Sequence, residues 1–210
     1  MTLPADPAAC ECLVLGIGNL LWADEGFGVR CVEALHRGWR MAPGVALMDG
    51  GTQGLYLVHH IRAARRLIVF DAIDYGDEPG RLRLVRDGEV PAFGGVRKMS
   101  LHQTGFQDVL IAAEMLGGGP ERILLVGVQA GELEDYGGSL TPPVRAQMGP
   151  ALMAALAQLT DWGLPAVPRP EEEAVAPLLG PGLGLSDYEG GRPGPEQAWR
   201  RGDARFLAAD

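Results

Sequence analysis

Short apolar runs of four to eight residues alternate along the chain with longer stretches at helical spacing, the pattern of strands joined by crossover helices. An α/β fold is predicted. Residues 12–17 read as a first strand, followed by Gly18-Asn19 and a helix from about Asp24, its plausible N-cap, with Val29, Val32 and Leu35 on one side. Residues 45–48 form a second strand closing on Asp49-Gly50-Gly51-Thr52, and a helix over about 55–64 returns the chain. Residues 67–70 carry no charge, as a strand covered on both faces would, and run into Asp71-Ala72-Ile73-Asp74. Residues 81–86 largely alternate polar with apolar, which suits an edge strand. Gly88, Pro91, Gly94 and Gly95 mark 87–100 as loop. A helix over about 103–116, a fifth strand over 123–128 and a last helix from Thr141-Pro142 to about 159 complete the core.

The pattern then stops. From Pro168 onward 43 residues hold six Pro and seven Gly with no periodic apolar face, a composition associated with low-complexity chain. A folded domain over 1–165 and a Pro/Gly-rich, poorly ordered tail over 166–210 are therefore expected. With 210 residues, 47% of them hydrophobic, the chain can bury a core without disulfides or a structural metal.

A net charge of −9 sets up a field that repels polyanions, which disfavours nucleic acid as a partner. Three cysteines, Cys10, Cys12 and Cys31, are too few and too clustered for a disulfide framework and suit a reducing compartment. Strand alternation puts Cys10 and Cys12 on one face, as packing residues. No apolar run approaches the ~18 residues of a membrane span, and Asp6 and Glu11 stand where a secretory signal would be basic. A cytoplasmic protein with no membrane insertion is expected.

Ligands of an open α/β sheet gather outside the carboxyl ends of the strands. Four candidate groups fall there: Asp24-Glu25 after the first strand, Asp49 after the second, Asp71 and Asp74 after the third, and His102 in the loop before the third helix. The other histidines, His36, His59 and His60, lie on predicted helices and read as solvated or packing residues. Asp24 fits a cap, and Asp49 fits equally a hydrogen-bonded turn or a functional acid. Asp71 favours function, because an acid ending so apolar a strand bears a desolvation cost unless it meets a cation or donors. Two carboxylates and an imidazole suit a divalent cation of borderline hardness, with positions left for substrate and water, or acid–base work. No zinc-protease helix, paired Cys-x-x-Cys or serine elbow is present. Gly16-Ile17-Gly18 invites a dinucleotide reading, but Leu21 stands at the third glycine position and Asp24-Glu25 would repel a pyrophosphate.

Taken in order, Leu15-Gly16-Ile17-Gly18-Asn19-Leu20-Leu21, Asp24-Glu25-Gly26-Phe27-Gly28-Val29, Asp49-Gly50-Gly51-Thr52, Asp71-Ala72 and His102-Gln103 resemble the nickel-iron hydrogenase maturation endopeptidases, with Val126-Gly127-Val128-Gln129 and Leu140-Thr141-Pro142 extending the match over about 13–159. Ala130 departs from the proline common in that family, and the resemblance does not place the tail after about Pro168. The resemblance implies a three-layer α/β/α sandwich around a roughly five-stranded, mostly parallel sheet. It also implies a peptidase that clips a C-terminal extension from the hydrogenase large-subunit precursor once nickel is inserted. By the same resemblance Glu25, Asp71 and His102 are the metal-binding and catalytic residues, Asp49 recognises the precursor, and the nickel comes with the substrate and is not a resident cofactor. A non-enzymatic chaperone that checks the precursor for nickel is the alternative.

Overall fold

The computed structural model describes residues 10–92, 101–170 and 172–192, except the side chains of 91, 92, 101–105 and 107. Strand β1 (Cys12–Ile17) passes through a 3-10 turn, Ala23–Gly26, into helix α1 (Phe27–Gly38). A short strand β2 (Trp39–Arg40) precedes β3 (Val45–Gly51), α2 (Val58–Ala63) and β4 (Arg66–Ile73). Next come β5 (Leu82–Arg86), α3 (Glu89–Ala92), α4 (Leu101–Met115) and β6 (Arg122–Gln129). The chain finishes with α5 (Pro142–Arg145), α6 (Met148–Asp161), β7 (Val167–Pro168) and α7 (Leu185–Gly190).

The main sheet has the order β3-β1-β4-β6-β5. Its first four strands are parallel, and β5, the edge strand, runs antiparallel to β6. Alternation along β4 divides the core in two. Ile68, Phe70 and Ala72 face Phe27, Val32 and Leu35 of α1 and Ala151, Leu152 and Ala155 of α6. Leu67, Val69 and Ile73 face Ile61 of α2 and Phe106, Val109 and Ala113 of α4. The result is the expected three-layer α/β/α sandwich, closed by burying both faces of a parallel sheet. No described helix is long and apolar enough to cross a membrane.

Several boundaries differ from the pattern-based reading. β4 stays paired with β6 as far as Ile73 opposite Gln129, so Asp71 lies inside the strand and not at its end. β3 pairs with β1 as far as Gly51, so Asp49 is also a strand residue. α4 begins at Leu101, which puts His102 in the first turn of a helix and not in a loop. The last helix breaks between α5 and α6. Within the expected loop over 87–100 a short α3 forms, and 93–100 lie outside the described residues. Cys10 and Cys12 pack on opposite sides, because Cys10 precedes β1 and escapes its alternation.

Glycines set how closely α1 approaches the sheet. A β-carbon at Gly28 would overlap the carbonyl oxygens of both Ile17 and Phe70, and one at Gly16 would overlap that of Gly28. Helix α1 therefore starts directly on the ends of β1 and β4, which brings the preceding turn to the carboxyl edge of the sheet. Gly28→Ala should push the helix outward and cost about 1–3 kcal/mol, read as a lower urea midpoint.

The tail crosses α1. β7 pairs antiparallel with β2, Leu179 is buried, and the His36 ring lies 2.8 Å from the Ala176 carbonyl.

Candidate active site

The carboxyl edge of the sheet is assembled from three connections. The first leaves β1 through Gly18, whose φ of +127° is open to glycine and whose missing side chain lets the chain lie against the Glu25 carbonyl. That contact holds the 3-10 turn, and with it Glu25, beside β4.

Asp71 shares its strand face with Leu67, Val69 and Ile73, so it is directed to the α2/α4 layer, the layer whose helix α4 carries His102 in its first turn. It is only 6% exposed. Burial pushes its carboxyl well above the ordinary 3.8, the Ala72 amide draws it back, and the negative charge of Glu25 pushes it up again. The two acids are thus within electrostatic reach of each other. The His102 side chain lies outside the described residues. Among the described residues no three His, Cys, Asp or Glu form a metal-holding group.

A second connection follows β4. Opposite Asp71 on β6 stands Gly127, where a β-carbon would meet Ile73 Cδ1 and come within 3.1 Å of Tyr75 Oη. Burial, and then the Asp71 charge, raise the Tyr75 hydroxyl. Gln129 organises this loop. Its Oε1 accepts from the amides of Tyr75 (2.7 Å) and Asp77 (3.1 Å), and its Nε2 donates to Asp74 Oδ1 (3.1 Å) and the Ala130 carbonyl (3.0 Å). All four capacities of a buried amide are used, which fixes the loop beside Asp71. Sequence reading passed over Tyr75 and gave Gln129 no role, although a polar residue ending the apolar run 123–128 was a signal for it.

Asp24 serves neither as a cap nor as a site acid. It is completely buried, and the turn it sits in has no side-chain cap. Its Oδ2 accepts from the Gly131 and Glu132 amides and the Thr141 hydroxyl, each at 2.9 Å, and its Oδ1 accepts from the Thr141 amide at 2.7 Å. One carboxylate thus ties the turn bearing Glu25 to the third connection, between β6 and α5.

Asp49 is placed differently. It is level with Gly16 in the sheet and shares its face with Val45 and Leu47, which pack on the α1 side, opposite to the face of Asp71. Its Oδ1 accepts from the Gly51 amide at 2.9 Å. Burial raises its carboxyl, while that hydrogen bond and the charge of Arg30 on α1 lower it. Glu25 and Asp71 are brought within electrostatic reach of each other, and Asp49 lies on the opposite face of the sheet, on the α1 side. Around the edge, Leu55 and Tyr56 are exposed after the Asp49 turn, and Trp22 meets Tyr136 edge-on at 5.3 Å.

A family model described as hydrogenase maturation protease matches residues 29–158, ending inside α6. The chain is 61% identical to the hydrogenase expression/formation protein HupM of Azotobacter chroococcum over 197 residues, 93% of each protein. It is 44% identical to the hydrogenase 2 maturation protease of Escherichia coli over 158 residues, 75% of this chain and 95% of that one. Among solved structures, the hydrogenase maturating endopeptidase HybD of E. coli aligns with a TM-score of 0.71 at 43% identity, covering 76% of this chain and 98% of that one.

Proposed function

Because the chain belongs to the hydrogenase maturation proteases, a family of peptidases that process hydrogenase precursors, we propose that it removes the C-terminal extension of a nickel-iron hydrogenase large subunit after nickel insertion. In this reading the nickel is cargo of the substrate and the protein keeps no metal of its own. Glu25, Asp71 and His102 engage that nickel, and Asp49 recognises the precursor.

The observation that carries the proposal is the Asp71–Glu25 pair. Burial and the charge of Glu25 both oppose ionisation of Asp71, and a divalent cation brought by the client reverses both effects at once. Oxygen and nitrogen donors of this kind suit nickel and leave positions for the scissile carbonyl or a water. An Asp71 that ionises fully only against a loaded client would spare an unloaded one.

Hydrolysis then adds a water to the scissile carbonyl, with one carboxylate of the pair taking its proton and returning it to the leaving amine. In that sense the peptidase is of aspartic type. The exposed Leu55, Tyr56 and Tyr136 supply apolar contact for the precursor around the edge. Three free cysteines support the cytoplasm as the place of action. The family match to proteases replaces the reading as a non-enzymatic chaperone.

The test is incubation of the full chain with nickel-loaded and nickel-free precursor, followed by mass spectrometry of the large subunit. Loss of the C-terminal peptide is expected only from the loaded form, and not with His102→Ala. Equal cleavage of the nickel-free form would overturn the proposal.

A further inference from the structure

Ala23 has a backbone that its own sequence does not explain. Its φ of +36° lies in the left-handed region that alanine rarely enters, and it stands two residues before Glu25. Strain of this kind persists only where surrounding contacts impose it. Here they come from the connection between β6 and α5. Asp24 donates its amide to the Glu132 carbonyl at 3.1 Å, and Gly137 donates its amide to the Leu21 carbonyl at 2.7 Å. Trp22 and Tyr136 form an antiparallel bridge between the two segments. Gly138 packs so closely on the strained residue that a β-carbon at 138 would stand 2.9 Å from that of Ala23.

The tail holds this connection from its other side. The Tyr188 hydroxyl donates to the Gly138 carbonyl at 3.3 Å, while Glu189 Oε1 accepts from the Ser139 hydroxyl at 2.6 Å and pairs with the Arg145 guanidinium of α5. The opposite end of α7 is fixed to α1. Leu185 donates its amide to Glu33 Oε1 at 3.3 Å, and the Arg30 guanidinium donates to the Leu183 carbonyl and lies 5.2 Å from the centre of the Tyr188 ring. No residue of α7 is buried, and a cavity of about 420 Å³ opens between Leu185, α1 and Met148 of α6. The helix therefore contributes anchors and no core. It also lies beyond residue 158, where the family match ends.

We propose that α7 is a brace for the turn that carries Glu25: through Tyr188 and Glu189 it keeps residues 138 and 139 against Ala23, maintains the positive φ there, and so holds Glu25 beside β4. Tyr188 and Glu189 are positioning residues. The proposal rests on the reading of Glu25 as one of the groups that engage the client's nickel. Because a small misplacement of a reacting group is costly while docking of the precursor elsewhere is untouched, loss of the brace falls on kcat and not on KM.

The test cuts both anchors in the full chain with the double variant Tyr188→Phe, Glu189→Ala, in which the ring over Arg30 remains. Processing kinetics on nickel-loaded precursor are read beside thermal unfolding and the ¹⁹F spectrum of fluorotryptophan-labelled protein, the Trp22 line being assigned with Trp22→Phe. The double variant is expected to lower kcat about tenfold with KM within about twofold and Tm within a few degrees, and to shift or broaden the Trp22 line. Adding Ala23→Gly, which accepts a positive φ without steric cost, should recover most of the lost kcat. A wild-type kcat in the double variant, an unmoved Trp22 line, or no recovery with Ala23→Gly would overturn the brace. Processing at the wild-type rate by Glu25→Gln would instead overturn the role of Glu25 on which it rests.

Discussion

Asp71→Asn is expected to abolish precursor processing, lowering kcat/KM by at least about 10³, and to raise the melting temperature of the free protein near pH 7. The two effects share a cause. Burial and Glu25 hold the Asp71 carboxyl well above 3.8 in the folded chain. Between the unfolded and the folded value only the native state keeps the proton, so stability falls as pH rises through that window and the penalty is complete above it. An amide of the same shape carries no such penalty. Each kcal/mol relieved corresponds to about 2–4 °C in a chain of this size. The advantage of Asp71→Asn should vanish in acid, where wild-type Asp71 is protonated as well. Melting curves across pH, alongside the cleavage assay, read both effects, and a destabilised variant at neutral pH would contradict the assignment of Asp71 as a strained functional acid.

Asp24→Ala is expected to have the largest effect on stability, about 2–4 kcal/mol, because it removes a fully buried acceptor from three backbone amides and a hydroxyl at the part-buried connection after β6. Asp24→Asn should also destabilise, since its NH₂ group meets amides that need an acceptor. The measurement is chemical denaturation, with the slope compared among variants. Processing at a temperature where the variant remains folded should fall too, because the Glu25 turn is then released from the connection after β6. Full activity in a folded Asp24→Ala protein would separate that network from the site.

The contrast between Asp24 and Asp71 shows what the sequence reveals. Asp71 was legible because an acid following four uncharged apolar residues is an electrostatic anomaly that local inspection finds. Asp24 was not, because its partners lie 107 to 117 residues away and nothing near it distinguishes a cap from a long-range clamp. The layered fold was legible for a similar reason: strands buried on both faces read as unbroken apolar runs. Sheet register was not, and register decides that Asp49 faces the α1 side and Asp71 the α4 side. The contacts of the tail were hidden because they use single residues, Arg30, Glu33, Tyr188 and Glu189, that share no period. His102 was read as a loop residue although Ser100 and Gln103 have the spacing of a helix-starting capping box, a signal that went unused beside the glycines and proline of 87–100, and α4 begins one residue before it.

The central claim is that Glu25, Asp71 and His102 close on nickel carried by the client. Nickel K-edge absorption of the loaded precursor, recorded alone and after mixing with the protein and freezing before turnover, tests it most directly. The account predicts additional oxygen and nitrogen scatterers at the nickel on mixing with the wild type, and none on mixing with Asp71→Asn. A nickel spectrum unchanged by the wild-type protein, in a sample that goes on to be cleaved, would contradict it.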